Sequence, residues 1–209
     1  MRRILIVLSL GVLAGSCETM SADECRLADW GSLGYRDGAA GSAVSRFTDR
    51  EKSCAKKGYA AQFDSYMKAR DDGLRSFCQP ERGFRAAMDG YQYAGVCPRE
   101  LEPDFMLGYS DGRIAYQAKQ AVADRQSEIN SLRWKIDDYE DKIVDKRAIV
   151  RDPKATPEQK AEAQKKLDEL EYDRKSANKD LRRAEDDLSW RENDLSRVRD
   201  DLGLRWGAW

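Results

Sequence analysis

A long, unbroken heptad pattern in the C-terminal half narrows what this chain can fold into more than any other feature. From Ala115 the apolar positions recur at alternating spacings of three and four: Ala115, Ala118, Val122, Ile129, Leu132, Ile136, Tyr139, Ile143 and Val150, with Arg125 and Lys146 on the same stripe. A second run reads Ala163, Leu167, Leu170, Ala177, Leu181, Ala184, Leu188, Leu195, Val198 and Leu202, with Arg174 and Arg191 in register. Apolar residues every 3.5 positions, with charge elsewhere, form the seam of a coiled coil. Between the runs, Pro153 stops the first helix. Thr156 then offers an N-cap, Pro157 suits the first helical position, and Gln159 completes a capping-box spacing. A connection this short folds the second helix back along the first. The pattern therefore predicts an antiparallel hairpin over residues 113–202, with its turn at 151–157 and arms of about 55–65 Å at about 1.5 Å per residue. The rival arrangement is two helices joining a second copy. The four cationic seam positions either snorkel to solvent or mark a register or a partner's surface.

Composition limits the chemistry. Charged residues make up 36% of the 209, well above the quarter usual in globular domains, as long solvated helices require. The 37 basic and 38 acidic residues balance in both halves, so neither carries the positive field that a phosphate backbone demands, and nucleic acid is excluded as a partner. There is no histidine, which removes the commonest general base and the commonest metal ligand. No nucleotide loop, serine-nucleophile elbow, calcium loop or metal-ligand spacing is present. The expectation is a non-enzymatic protein with no catalytic residues, no cofactor and no metal. Glu100, Glu102 and Asp104 are read as a polar loop around Pro98 and Pro103 rather than a cation site.

The N-terminus carries an export signal. Arg2 and Arg3 precede an apolar run from Ile4 to Leu13 and the small residues Ala14-Gly15-Ser16 before Cys17, the anatomy of a cleaved leader over residues 1–16. The run is too short to cross a bilayer, which takes about 20 apolar residues. Its end resembles a bacterial lipobox, with Ala14 where leucine is more usual. That resemblance implies that Cys17 receives diacylglycerol and becomes the lipid anchor; an ordinary secretory leader with Cys17 incidental is the alternative. Glu18 is not the aspartate that retains lipoproteins in the inner membrane, so the periplasmic face of the outer membrane is expected. Five cysteines are awkward in an exported chain, and assigning Cys17 to lipid leaves an even set.

Residues 17–112 read as a small helical domain stapled by the remaining cysteines. Of the three possible connectivities, Cys25–Cys54 and Cys78–Cys97 close the shortest loops, at about 3 kcal/mol each. A zinc site is the weaker alternative, since no Cys-x-x-Cys pair exists. The stretch repeats Gly34-Tyr35-Arg36-Asp37-Gly38 as Gly108-Tyr109-Ser110-Asp111-Gly112, with echoes at Ala69–Gly73 and Ala87–Gly90. Gly31, Gly34, Gly38 and Gly41 fall on one helical stripe. Glycine lowers helix propensity by up to about 1 kcal/mol, so such a stripe persists only where another backbone approaches closely. Tyr35, Tyr66, Tyr91 and Tyr109 are expected to fill around the helices. The whole is read as all-α, a disulfide-stapled helical domain followed by the hairpin and an aromatic tail at 203–209. Trp206 and Trp209 either dock on the domain or sit in the membrane interface.

The order Cys25, Ala28-Asp29-Trp30, Gly34–Gly38, Cys54, Gly73-Leu74, Phe77-Cys78-Gln79-Pro80, Gly83, Tyr93, Gly95-Val96-Cys97-Pro98, Phe105 and Tyr109–Gly112 resembles a family of Gram-negative lipoproteins, domain of unknown function 2799. The resemblance spans about residues 20–116. It implies an envelope location and no activity. Two functional readings follow: a membrane-anchored tether whose hairpin docks another envelope protein, or a small domain that grips peptidoglycan.

Overall fold

The computed structural model describes residues 19–209; Cys17 and the leader lie outside the described residues. Among those described, all regular structure is helical: α1 (Ala22–Arg26), α2 (Trp30–Ala39), α3 (Ser45–Ala55), α4 (Phe63–Phe77), α5 (Pro80–Met88), α6 (Glu102–Arg151) and α7 (Pro157–Trp206). The chain forms two compact units. One joins the residues up to Cys78 with Tyr93–Leu101; the other joins Gln79–Gln92 with Glu102–Trp209.

In the first unit, Ser21 and Glu24 cap α1 reciprocally and Asp29 caps α2. Both caps satisfy amides that the first turn leaves without helical partners. The core is aromatic: Trp30, Phe47 and Tyr66 are buried, with Phe47 centred 5.7 Å from Trp30 and 4.9 Å from Tyr66. Cys25 and Cys54 are bonded, as are Cys78 and Cys97, with Cα separations of 5.4 and 5.7 Å. This is the short-loop connectivity. The first bond ties α1 to α3, and the second ties the end of α4 to the irregular segment 93–101.

Glycines decide how α2 meets α4. A methyl group on Gly34 would overlap the Tyr66 carbonyl, one on Gly38 the Arg70 carbonyl, and one on Gly73 the Tyr35 carbonyl. The expected close approach is therefore reciprocal. Gly41 lies beyond the helix rather than on its stripe, with φ +65° and the Phe77 ring against it. Of the four tyrosines expected to fill the interior, only Tyr66 is fully enclosed. Tyr35 is 48% exposed, because it shares a turn with Gly34 but points away from α4.

The second unit repeats the device. Gly108 and Gly112 lie on the Pro80 and Phe84 carbonyls of α5, and Gly83 lies on the Phe105 carbonyl of α6. Here the domain boundary read from sequence at 112/113 is corrected, since it falls inside α6, which starts at Glu102. Pro103 is tolerated in a first turn, and Glu102 and Asp104 there complement the positive end of the helix dipole. Two of the three residues read as an acidic loop are thus helical. Both long helices have 50 residues, about 75 Å at about 1.5 Å per residue, so the arms exceed the expected 55–65 Å.

Helix α7 returns antiparallel along α6: as the α6 member rises through Asp111, Arg125, Arg133 and Arg147, its ion-pair partner falls through Arg205, Asp187, Glu185 and Glu171. Every position on the two predicted stripes is buried or half-buried, with Ile129, Ile136, Ile143, Leu167, Ala177, Ala184, Leu195 and Leu202 enclosed. Thr156 and Gln159 form the predicted capping box. Gly203 does not end α7. The helix runs on to Trp206 and stops at Gly207, where φ is +79°.

Candidate functional site

Asp37, from the first Gly-Tyr-x-Asp-Gly copy, is the polar hub of the first unit. Its α2 position, one residue before Gly38, aims the carboxylate at the core between α3 and α4. Tyr66 donates its hydroxyl to Oδ2 at 2.6 Å, Arg50 donates to both oxygens, with Nη2–Oδ1 at 3.1 Å, and Arg46 Nε stands 3.6 Å from Oδ1. Burial pushes the Tyr66 hydroxyl well above the usual tyrosine range, and the hydrogen bond to Asp37 adds to the shift. Arg70, also buried, donates through Nη2 to the Ser42 carbonyl at 2.8 Å, while its Nε meets no acceptor. A buried carboxylate held this way orders three helices. It is a structural centre, since its acceptor positions are already filled.

The second copy repeats the logic in the second unit. Asp111 Oδ2 accepts from Trp206 Nε1 at 2.9 Å and pairs with Arg205. Trp206 stacks on Phe84 with ring centres 5.2 Å apart, and Trp209 meets the same ring edge-on at 6.1 Å. Ala115 and Leu202 are buried with Phe84, and Val198 packs against them. The aromatic tail therefore docks on α5 and α6 rather than standing clear for a membrane interface.

Three of the four cationic seam residues find carboxylates at the rim. Arg125 Nε lies 2.8 Å from Asp187, Arg191 Nε 3.5 Å from the same group, and Arg174 Nη1 3.5 Å from Glu140. Lys146 lines a cavity of about 370 Å³ beside the hairpin turn. No group of three or more Cys, Asp or Glu among the described residues is placed to hold a metal ion, and no helix there is long and apolar enough to cross a membrane.

Two surfaces escaped the sequence reading. The first is a groove of about 580 Å³ between α1 and α2, with Met20, Leu27, Ala28 and Leu33 along it and Arg36 and Arg50 at its edge. The second is a set of large aromatics on the outside of the hairpin: Trp134 at 71%, Tyr172 at 74% and Trp190 at 54% exposure. Their signal in the sequence was an aromatic residue off the heptad stripe.

The shared glycine geometry of α2 with α4 and of α5 with α6 delimits a segment, and that segment has relatives. Residues 29–114 match the family model described as protein of unknown function (DUF2799). The DUF2799 match opens on the N-cap of α2 and closes two residues after Gly112, so both Gly-Tyr-x-Asp-Gly copies and all six close-contact glycines of the two helix pairs lie within it. The resemblance read from the cysteines, glycines and aromatics is borne out over this segment. Cys25 precedes it, and the hairpin beyond Ile114 is outside it. No curated protein and no solved structure matches the chain.

Proposed function

We propose that this protein is a non-enzymatic envelope lipoprotein, anchored through lipid on Cys17 at the periplasmic face of the outer membrane, and that the α6–α7 hairpin is a docking arm for another envelope protein. The observation that carries this reading is the exposure of the large aromatics Trp134, Tyr172 and Trp190 on the outside of the hairpin. Tryptophan and tyrosine dominate the residues that anchor protein interfaces, and a coiled coil needs neither on its outer positions. The leader and Cys17 supply the location.

The test keeps both ends of the hairpin intact, because Val198, Leu202 and Trp206 pack at Phe84. Deleting residues 126–146 together with 170–190 removes three heptads from each arm in register, shortening it by about 31 Å, and takes out all three aromatics. Photo-crosslinking probes at positions 134, 172 and 190 in cells should give a discrete protein adduct, and the shortened protein should lose that protein's co-purification. Without any protein adduct, and with the shortened protein still sedimenting with peptidoglycan, the docking arm is refuted and the small domain becomes the binding module.

A further inference from the structure

We infer that the groove between α1 and α2 is a binding site for an aliphatic chain, and that its occupant is one acyl chain of the lipid on Cys17. The inference rests on the lipoprotein reading above and adds where that lipid goes.

Position makes the first argument. Thr19 and Met20 line the groove, and Cys17 lies two residues before Thr19 in the sequence, a span of at most about 7 Å of extended chain. The chain at the groove is bonded to α3. Thr19 donates its hydroxyl to the Asp49 carbonyl at 3.1 Å, and Ser53 donates to the Met20 carbonyl at 3.0 Å. Both partners are on α3, to which α1 is bonded through Cys25–Cys54. A ligand carried on so short a tether reaches the groove at an effective concentration in the millimolar range or above.

Chemistry makes the second. Met20, Leu27, Ala28 and Leu33 give the groove apolar walls, and the thioether of methionine adapts to irregular aliphatic shapes. Its volume lies within the roughly 300–1,000 Å³ of small-ligand sites. Leu27 is 72% exposed, and a seated chain would cover it. Moving methylenes from bilayer to groove exchanges one apolar surrounding for another, so the short tether and the fixed walls decide the outcome. Arg36 at the edge offers donors to the ester carbonyls of the glycerol.

Cells expressing the full chain are fed a diazirine-bearing fatty acid, the protein is purified and irradiated, and its tryptic peptides are analysed by mass spectrometry. The N-terminal peptide ending at Arg26 should carry acylated Cys17 and crosslink to the peptide Leu27–Arg36. Leu27→Glu, at a surface position, should cut that crosslink severalfold while leaving Cys17 acylated and the Cys25–Cys54 bond intact. Acylated Cys17 with crosslinks to phospholipid alone, or a yield unchanged by Leu27→Glu, overturns the groove assignment and leaves the anchor standing. Unmodified Cys17 overturns the anchor, and this inference with it.

Discussion

Replacing Gly38 by alanine should destabilise the first unit, although alanine is the better helix former. A Cβ at this position would overlap the Arg70 carbonyl oxygen and stand 2.9 Å from the Leu74 amide nitrogen. Both obstacles are backbone atoms of α4, whose flanking Tyr66 and Leu74 are fully buried, so α4 cannot yield without moving the core. Overpacking of this kind costs about 1–3 kcal/mol, and the upper end applies where the obstruction is a carbonyl. Helix propensity returns about 1 kcal/mol, leaving a net loss of about 2 kcal/mol, roughly thirtyfold in the opening equilibrium. Hydrogen exchange read by mass spectrometry over α2 and α4 measures it directly, since locally opened amides exchange in proportion to that equilibrium. Gly203→Ala is the matched control. Nothing lies within 4 Å of a Cβ there, so propensity acts alone and protection at the end of α7 should rise, by up to about 1 kcal/mol. If Gly38→Ala protects α2 as Gly203→Ala protects α7, the close approach does not govern the helix pair and the reasoning fails.

The remaining predictions concern the first unit. The Tyr66 hydroxyl, buried and bonded to Asp37, holds its proton above the usual tyrosine range. An unfolded tyrosine releases it near about pH 10, so the stability this group lends is full below that pH and falls as pH rises through its folded value. Urea midpoints from about pH 8 to 11 should drop more steeply for the parent than for Tyr66→Phe; equal slopes refute the assignment. Asp37→Ala leaves the part-buried Arg50 and the buried Tyr66 hydroxyl without their acceptor and should cost about 3 kcal/mol by denaturant titration, whereas a change below about 1 kcal/mol would demote the cluster to a surface-like ion pair. Replacing Cys78 and Cys97 together by serine should remove about 3 kcal/mol and raise amide exchange across residues 93–101, while unchanged exchange would show that the segment packs without its staple.

The heptad stripe was legible because it repeats over many turns and each position faces one helical neighbour. Ile129, Ile136, Ile143, Leu167 and Leu195 are inside for the reason their spacing states, and the capping box at Thr156 is a local device of four residues. The glycine stripe was legible as a demand for close contact, since a helix has no other use for Gly34 and Gly38. The partner was not legible. Nothing local says that Gly38 seeks the Arg70 carbonyl or that Gly108 seeks Pro80, because those pairs are chosen by which helices share a core.

Local periodicity and short-range sterics therefore determined the helices, their caps, the antiparallel return and the need for glycine. Tertiary structure decided the rest. It carried α6 back to Glu102 through two glycines that propensity alone disfavours, and it turned the two Gly-Tyr-x-Asp-Gly aspartates into hubs for Arg50 with Tyr66 and for Arg205 with Trp206. It also left Trp134 and Leu27 outside. The physical reason is one of range. A cap or a heptad is satisfied within a few turns of its own chain, whereas burial depends on residues 28 to 95 positions away, which no local pattern encodes.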